Sequence, residues 1–125
     1  MTQKPRVLLI DDSELTLEAL SIYLSLKFEV VTATDGFSAL RAFDKPFDLI
    51  ITDLLFPATS GFGLISSLRQ QHLQTPIIAM TGWGKPSWVE CMKADALLIK
   101  PFELDELDRC INEVLPLVSG RHTAL

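Results

Sequence analysis

A chain of 125 residues, 48% of them hydrophobic, has room for one domain with one sizeable core and is too apolar for a disordered tail. Eleven basic against sixteen acidic residues give a net charge of −5, which argues against direct nucleic acid binding through a broad basic surface. No apolar run reaches the roughly 18 residues that span a membrane, and MTQKP leads straight into a strand pattern with no signal-peptide core.

From there the pattern alternates. RVLLI (6–10) is a short apolar run and reads as a strand, and residues 13–26 have helical spacing. EVVTA (29–33) is β-branched and strand-like; DGFSALRAF (35–43) opens with Asp35 as a helix N-cap. FDLIIT (47–52) is a third strand, and SGFGLISSLRQQ (60–71) a helix with Ser60 at its N-cap. PIIAM (76–80) and ALLI (96–99) are the fourth and fifth strands. Between them Ser87 and Glu90 form an S-x-x-E capping box, so a short fourth helix is expected from near Trp88. The last helix runs from about Glu103 to Val118, with Glu103, Asp105 and Glu106 at the positive end of its dipole and Gly120 as a stop.

The central strands are apolar throughout, which indicates burial on both faces. Five βα units with short connections then predict an α/β fold, a doubly wound five-stranded parallel sheet with helices on both faces. No repeat or composition shift divides the chain, so a single domain is expected over 1–125, with a core of about 6–118 and a tail at 119–125. Cys91 and Cys110 lack metal-ligand spacing and are expected as small buried residues in a reducing cytosol.

The ends of these strands carry the chemistry. In an open α/β sheet, ligands bind beyond the carboxyl ends of the strands. Asp11 and Asp12 stand at that end of the first strand, Asp53 of the third, Thr81 of the fourth and Lys100 of the fifth. Taken singly, Asp11 or Asp12 would be a helix cap, Asp53 a turn residue, Thr81 a common strand-end residue and Lys100 a solvated lysine. Together they form three carboxylates, a hydroxyl and an ammonium at one edge. Carboxylates this close repel one another; a hard cation such as Mg²⁺ removes the repulsion. The set suits an anion held beside a metal.

LLIDD (8–12), DLLFPATSG (53–61), MTG (80–82) and LIKPF (98–102) resemble the receiver domain of two-component response regulators over about residues 6–118. The resemblance implies the flavodoxin-like strand order 2-1-3-4-5, with this fourth helix unusually short. It implies Asp53 as the phosphoacceptor, and Mg²⁺ held by Asp12, Asp53 and the backbone carbonyl of Leu55, with Asp11 acting through water. Lys100 would pair with phosphoryl oxygens, and Thr81 would donate its hydroxyl to one. Pro57 and Gly61 match the turn after the phosphoacceptor, and Lys100–Pro101 matches a cis peptide bond. The implied partners are a histidine kinase or histidine phosphotransfer protein in the cytoplasm, with an unknown downstream protein or effector domain and no membrane contact.

The chain also departs from that pattern. The segment between Thr81 and Lys100 is shorter than usual, Lys93 stands where glycine is usual, and Leu97 replaces the switch aromatic. Leu55 and Trp83 are apolar where polar residues often assist hydrolysis, so slow self-dephosphorylation is expected. On the first helix, Glu14, Glu18, Ser21 and Ser25 form a narrow polar strip at ~100° per residue. Two-sided packing accounts for most of the broad apolar remainder, and Leu15 and Ile22 at its flank are candidates for docking a partner. The leading expectation is a phosphorylatable signalling switch. A receiver-like interaction module with a constant form is the alternative, favoured by Leu97 and the short fourth helix. A Mg²⁺-dependent phosphohydrolase is a third, opposed by the absence of a D-x-D motif at Asp53.

Overall fold

The computed structural model describes residues 4–42, 45–54, 61–70, 74–82 and 93–115. In chain order these form β1 (Arg6–Ile10), α1 (Glu14–Leu24), β2 (Glu29–Ala33), α2 (Gly36–Arg41), β3 (Leu49–Asp53), α3 (Gly61–Gln70), β4 (Ile77–Thr81), β5 (Ala96–Ile99) and α4 (Leu104–Val114). The strands make one sheet in the order β2-β1-β3-β4-β5, every pair parallel. The expected α/β sheet and its 2-1-3-4-5 order are therefore observed. The expected helix near Trp88, its capping box, the Ser60 cap and Cys91 lie outside the described residues, as does the chain beyond Leu115.

Side-chain alternation sorts the strands into two cores, because successive residues point to opposite faces. On one face Val7, Leu9, Ile51, Ile78 and Met80 pack against Leu17, Leu20 and Leu24 of α1 and Leu107, Cys110, Ile111 and Val114 of α4. On the other, Leu8, Ile10, Ile50, Ile77 and Ala79 meet Ala39 of α2 and Ile65 and Leu68 of α3. β3 and β4 are buried along their whole length, as apolar central strands require. Each fully buried Leu or Ile stabilises the fold by roughly 1.5–3 kcal/mol. The Cys110 thiol is pushed up from its ordinary pKa, first by burial and then by the nearby Glu113 charge.

The helix starts follow the expected chemistry. Asp35 Oδ1 accepts from the Ser38 N–H at 2.8 Å, capping α2. Ser13 caps α1, its Oγ accepting from the Thr16 N–H at 3.2 Å. Glu103 precedes α4, and its N–H reaches Glu106 Oε1 at 3.5 Å.

Helix α1 corrects one expectation in part. It packs on the sheet and on α4, where half-buried Tyr23 donates its hydroxyl to Asp108 Oδ2, but this covers less of its apolar circumference than expected. Leu17, Leu20 and Leu24 are buried, whereas Leu15, Ile22 and Leu26 stay 79%, 69% and 75% exposed. Only one stripe of a helix can face a sheet, and α4 covers part of the remainder, so Leu15, Ile22 and Leu26 are left to solvent. Ser21, counted in the polar strip, has a buried Oγ that lacks a hydrogen-bond partner among the described residues.

Lys93 adopts φ 60°, the left-handed conformation that glycine takes without steric cost. Arg69 braces this turn: its guanidinium donates to the Lys93 carbonyl at 3.0 Å, the Thr75 carbonyl at 3.0 Å and Asp95 Oδ2 at 2.9 Å. The same Asp95 oxygen accepts from the Ile77 N–H at 2.8 Å. The end of α3, the start of β4 and the turn into β5 are thereby tied together.

Candidate functional site

Strand register builds the site. Ile10 pairs with Thr52, so the next residues, Asp11 and Asp53, emerge side by side. Asp53 pairs with Met80 and Thr81 with Ile99, which brings Lys100 to the same edge. Asp53 and Thr81 are the last residues of their strands rather than the first beyond them. The ladder continues past the strands, the Leu54 N–H bonding the Met80 carbonyl at 2.9 Å and the Lys100 N–H the Thr81 carbonyl at 2.7 Å.

The charges meet as this register demands. Lys100 Nζ lies 2.9 Å from Asp11 Oδ2 and 2.9 Å from Asp53 Oδ2. One ligand oxygen from each of Asp11, Asp12 and Asp53 falls within 4.8 Å of the others. Asp11, Asp53 and Thr81 are buried, and Asp12 is exposed. Lys100–Pro101 is a cis peptide bond. Leu55, Pro57 and Trp83 lie outside the described residues. Leu97 is half-buried against the core shared with α2 and α3.

Burial pushes the Asp11 carboxyl above the ordinary aspartate value, and the Asp53 charge adds to that. The Lys100 ammonium, its hydrogen bond and the Ser13 N–H pull the other way without cancelling the effect. Burial also works against the Lys100 charge, but the hydrogen bonds and charges of Asp11 and Asp53 outweigh it, so its pKa is raised. One lysine thus serves two buried carboxylates, and the trio carries surplus negative charge. That surplus, with a third carboxylate exposed beside it, is a donor set suited to a hard divalent cation.

Sequence reasoning brought Asp11, Asp12, Asp53, Thr81 and Lys100 to one edge, and the structure holds them there. It missed Ser13, whose N–H donates to Asp11 Oδ1 at 2.9 Å. The signal was available, since serine immediately before a helical run is a common cap. Asp11 therefore also makes the local turn that a strand-end aspartate makes by itself.

Comparison with known proteins agrees with this geometry. Residues 7–112 match the family model described as the response regulator receiver domain. The chain is 33% identical over 124 residues to the regulatory protein AtoC of Escherichia coli strain K12, covering 95% of this chain and 27% of that one. It is 35% identical over 115 residues to the transcriptional regulatory protein CpxR of the same strain, covering 88% and 49%. The chain thus spans about half or less of the length of these relatives. Among solved structures, the chemotaxis protein CheY4 of Vibrio cholerae superposes with a TM-score of 0.83 at 32% identity, covering 90% of this chain and all of that one. The receiver domain of the Francisella response regulator 1452 gives 0.84 at 26% identity, covering 92% and 99%. On this match across most of its length, the chain belongs to the response regulator receiver domain family, the phosphoacceptor switches of two-component signalling.

Proposed function

We propose that this receiver takes a phosphoryl group onto Asp53 from a histidine kinase or histidine phosphotransfer protein in the cytoplasm, with residues 6–118 as the working unit. The observation that supports it most is the buried Asp53 carboxylate held 2.9 Å from Lys100 Nζ, beside two further carboxylates. An Asp53 oxygen forms the new O–P bond as the N–P bond of the donor phosphohistidine breaks, and the bonding pair leaves with the imidazole. Such transfer depends on positioning and charge neutralisation rather than covalent assistance. Lys100 moves from Asp53 to the phosphoryl oxygens, and the Thr81 hydroxyl donates to one of them. Asp12, Asp53 and the Leu55 carbonyl would hold Mg²⁺ directly and Asp11 through water, and the bound ion supplies neutralisation of phosphoryl charge. The added group brings close to two negative charges and three acceptors, which draw the Thr81 and Lys100 segments inward and bias the surface.

Leu55 has no polar side-chain group, and Trp83 has only an indole N–H that can donate but cannot accept a proton from a hydrolytic water, so self-dephosphorylation is slow. The exposed Leu15 and Ile22 of α1 form the docking surface for the phosphodonor protein. Incubation with Mg²⁺ and a small-molecule phosphodonor, followed by intact mass, tests the reading. One phosphoryl mass is expected, absent in Asp53→Ala. The same gain in both proteins would place the phosphate elsewhere. A lifetime of seconds for the phosphorylated protein would overturn the slow hydrolysis.

Leu97, without a ring to report movement of Thr81, favours a second reading as an interaction module of constant form. No mass gain in the wild-type protein would select it.

A further inference from the structure

At the opposite end of the sheet from Asp53, the chain gathers positive charge that its overall balance of −5 does not suggest. Lys4, Arg6 and Lys45 line a cleft of about 580 Å³ with Phe28, Glu29 and Val30. Arg6 is committed there. Its Nε donates to Glu29 Oε2 at 2.7 Å, its Nη1 to the Pro46 carbonyl at 3.1 Å, and its guanidinium sits 4.4 Å from the Phe47 ring centroid. Lys4 Nζ donates to the Ser25 carbonyl at 2.9 Å. Among the described residues neither Lys4 nor Lys45 forms an ion pair.

The cleft runs into an open sheet edge, since Glu29 and Val30 belong to both. Among the described residues β2 pairs with β1 alone. The Glu29 N–H bonds the Pro5 carbonyl at 2.9 Å, and the Ala33 carbonyl accepts from the Asp11 N–H at 3.1 Å. Backbone groups alternate in direction along a strand, so with residues 29 and 33 turned to β1, those of Val30 and Thr32 point outward. Edge strands are normally defended by Lys, Pro or a bulge. EVVTA has none of these, its one charge is paired to Arg6, and Val30 and Val31 are half-exposed.

From these features we infer that β2 and the basic cleft bind an extended acidic peptide segment of a partner protein. The segment adds a strand beside Val30 and Thr32, sets an apolar side chain on Phe28 and Val30, and places carboxylates at Lys4 and Lys45. Charge selects this occupant, because an acidic chain repels anions over most of its surface and accepts them here. Two copies joined antiparallel through β2 would instead set Lys4 and Lys45 against the uncharged Ala33 and Thr34 and leave the cleft unfilled. Lying at the other end of the strands from Asp53, the site can be occupied whatever the state of Asp53.

Two fluorescent octapeptides provide the test, Glu-Val-Glu-Val-Thr-Glu-Val-Glu and its counterpart with Lys for every Glu, followed by anisotropy and backbone amide shifts. The acidic peptide should bind at least about tenfold more tightly than the basic one and weaken several-fold between about 0.05 and 0.5 M salt. Amide shifts should concentrate at residues 29–33. The double variant Lys4→Glu/Lys45→Glu should lose about tenfold in affinity at an unchanged melting temperature. Val30→Pro, which removes an outward N–H, should weaken binding with both lysines intact. Equal binding of the two peptides, or unchanged affinity in the lysine variant, overturns the inference. So does inorganic phosphate competing as well as the peptide with no shifts at 29–33, which marks a small-anion site only. Self-association through β2 without peptide would assign the edge to a second copy and overturn it as well.

Discussion

Lys100 and Asp53 form an ion pair at 2.9 Å while the same ammonium lies 2.9 Å from Asp11. Two chain segments far apart in sequence are thus held by one cation before any phosphate arrives. Removing that cation leaves two buried carboxylates facing each other, so Lys100→Ala should destabilise the metal-free protein by about 2 kcal/mol. Added Mg²⁺ should return part of the loss, because it supplies replacement charge. For the wild-type protein, Mg²⁺ at tenfold its Kd should add about 1.4 kcal/mol. Urea unfolding with and without Mg²⁺ measures both effects; a Lys100→Ala protein as stable as wild type would show that the pair contributes nothing.

Asp11 gives the pH dependence. Its folded pKa is raised above the ordinary value of 3.8. Folding therefore favours its protonated form, and that contribution is fully present below the unfolded pKa and lost as pH rises through the raised folded value. In Asp11→Asn this term is absent. Without Mg²⁺, the stability of the variant relative to wild type should increase as pH rises above about 4 and then level off. Paired urea titrations from acid to neutral pH test the sign, and a variant whose stability relative to wild type falls as pH rises contradicts it.

Lys93 sits at φ 60°, where a side chain is strained and glycine is not. Lys93→Gly should raise stability by about 0.5–1 kcal/mol, the relief of strain exceeding the added entropy of the unfolded chain. The Arg69 contact to residue 93 survives, because it is made to the backbone carbonyl. Thermal or urea unfolding decides, with a lower stability counting against the argument.

Ser21 buries a hydroxyl within α1 that has no partner among the described residues. Ser21→Ala deletes the oxygen and introduces a stronger helix former, so a gain of about 1 kcal/mol is expected. A loss on unfolding measurements would indicate that the hydroxyl is satisfied by ordered water.

Leu15 and Ile22 project from α1 into solvent, and their replacement removes contact area without touching the core. The double variant Leu15→Ser/Ile22→Ser should slow phosphotransfer from the partner protein by about tenfold or more. Phosphorylation by a small-molecule donor should be nearly unchanged. Equal slowing of both reactions removes the docking role.

Much of this molecule was readable before any coordinates. Five apolar runs separated by helical patterns imply a parallel sheet buried on both faces. That architecture puts residues at strand ends along a single edge, so Asp11, Asp53, Thr81 and Lys100 could be grouped from their positions in the chain. Lys93 was visible as the wrong residue for its place, and the positive φ supplies the reason. On α1, Leu15 and Ile22 were set apart as the uncovered flank and are exposed, whereas Leu26 was counted as packed, because a helical wheel records angles within one helix and not how much of its circumference the neighbours can cover.

Chain order alone was enough for the elements, their alternation and the acidic rim, since these follow from local periodicity and from where each strand stops. Register and packing were needed for the two-carboxylate grip of Lys100, the Arg69 brace and the basic cleft beside β2. Each of these joins residues separated by tens of positions, and their meeting depends on which strands pair and on which face each side chain emerges.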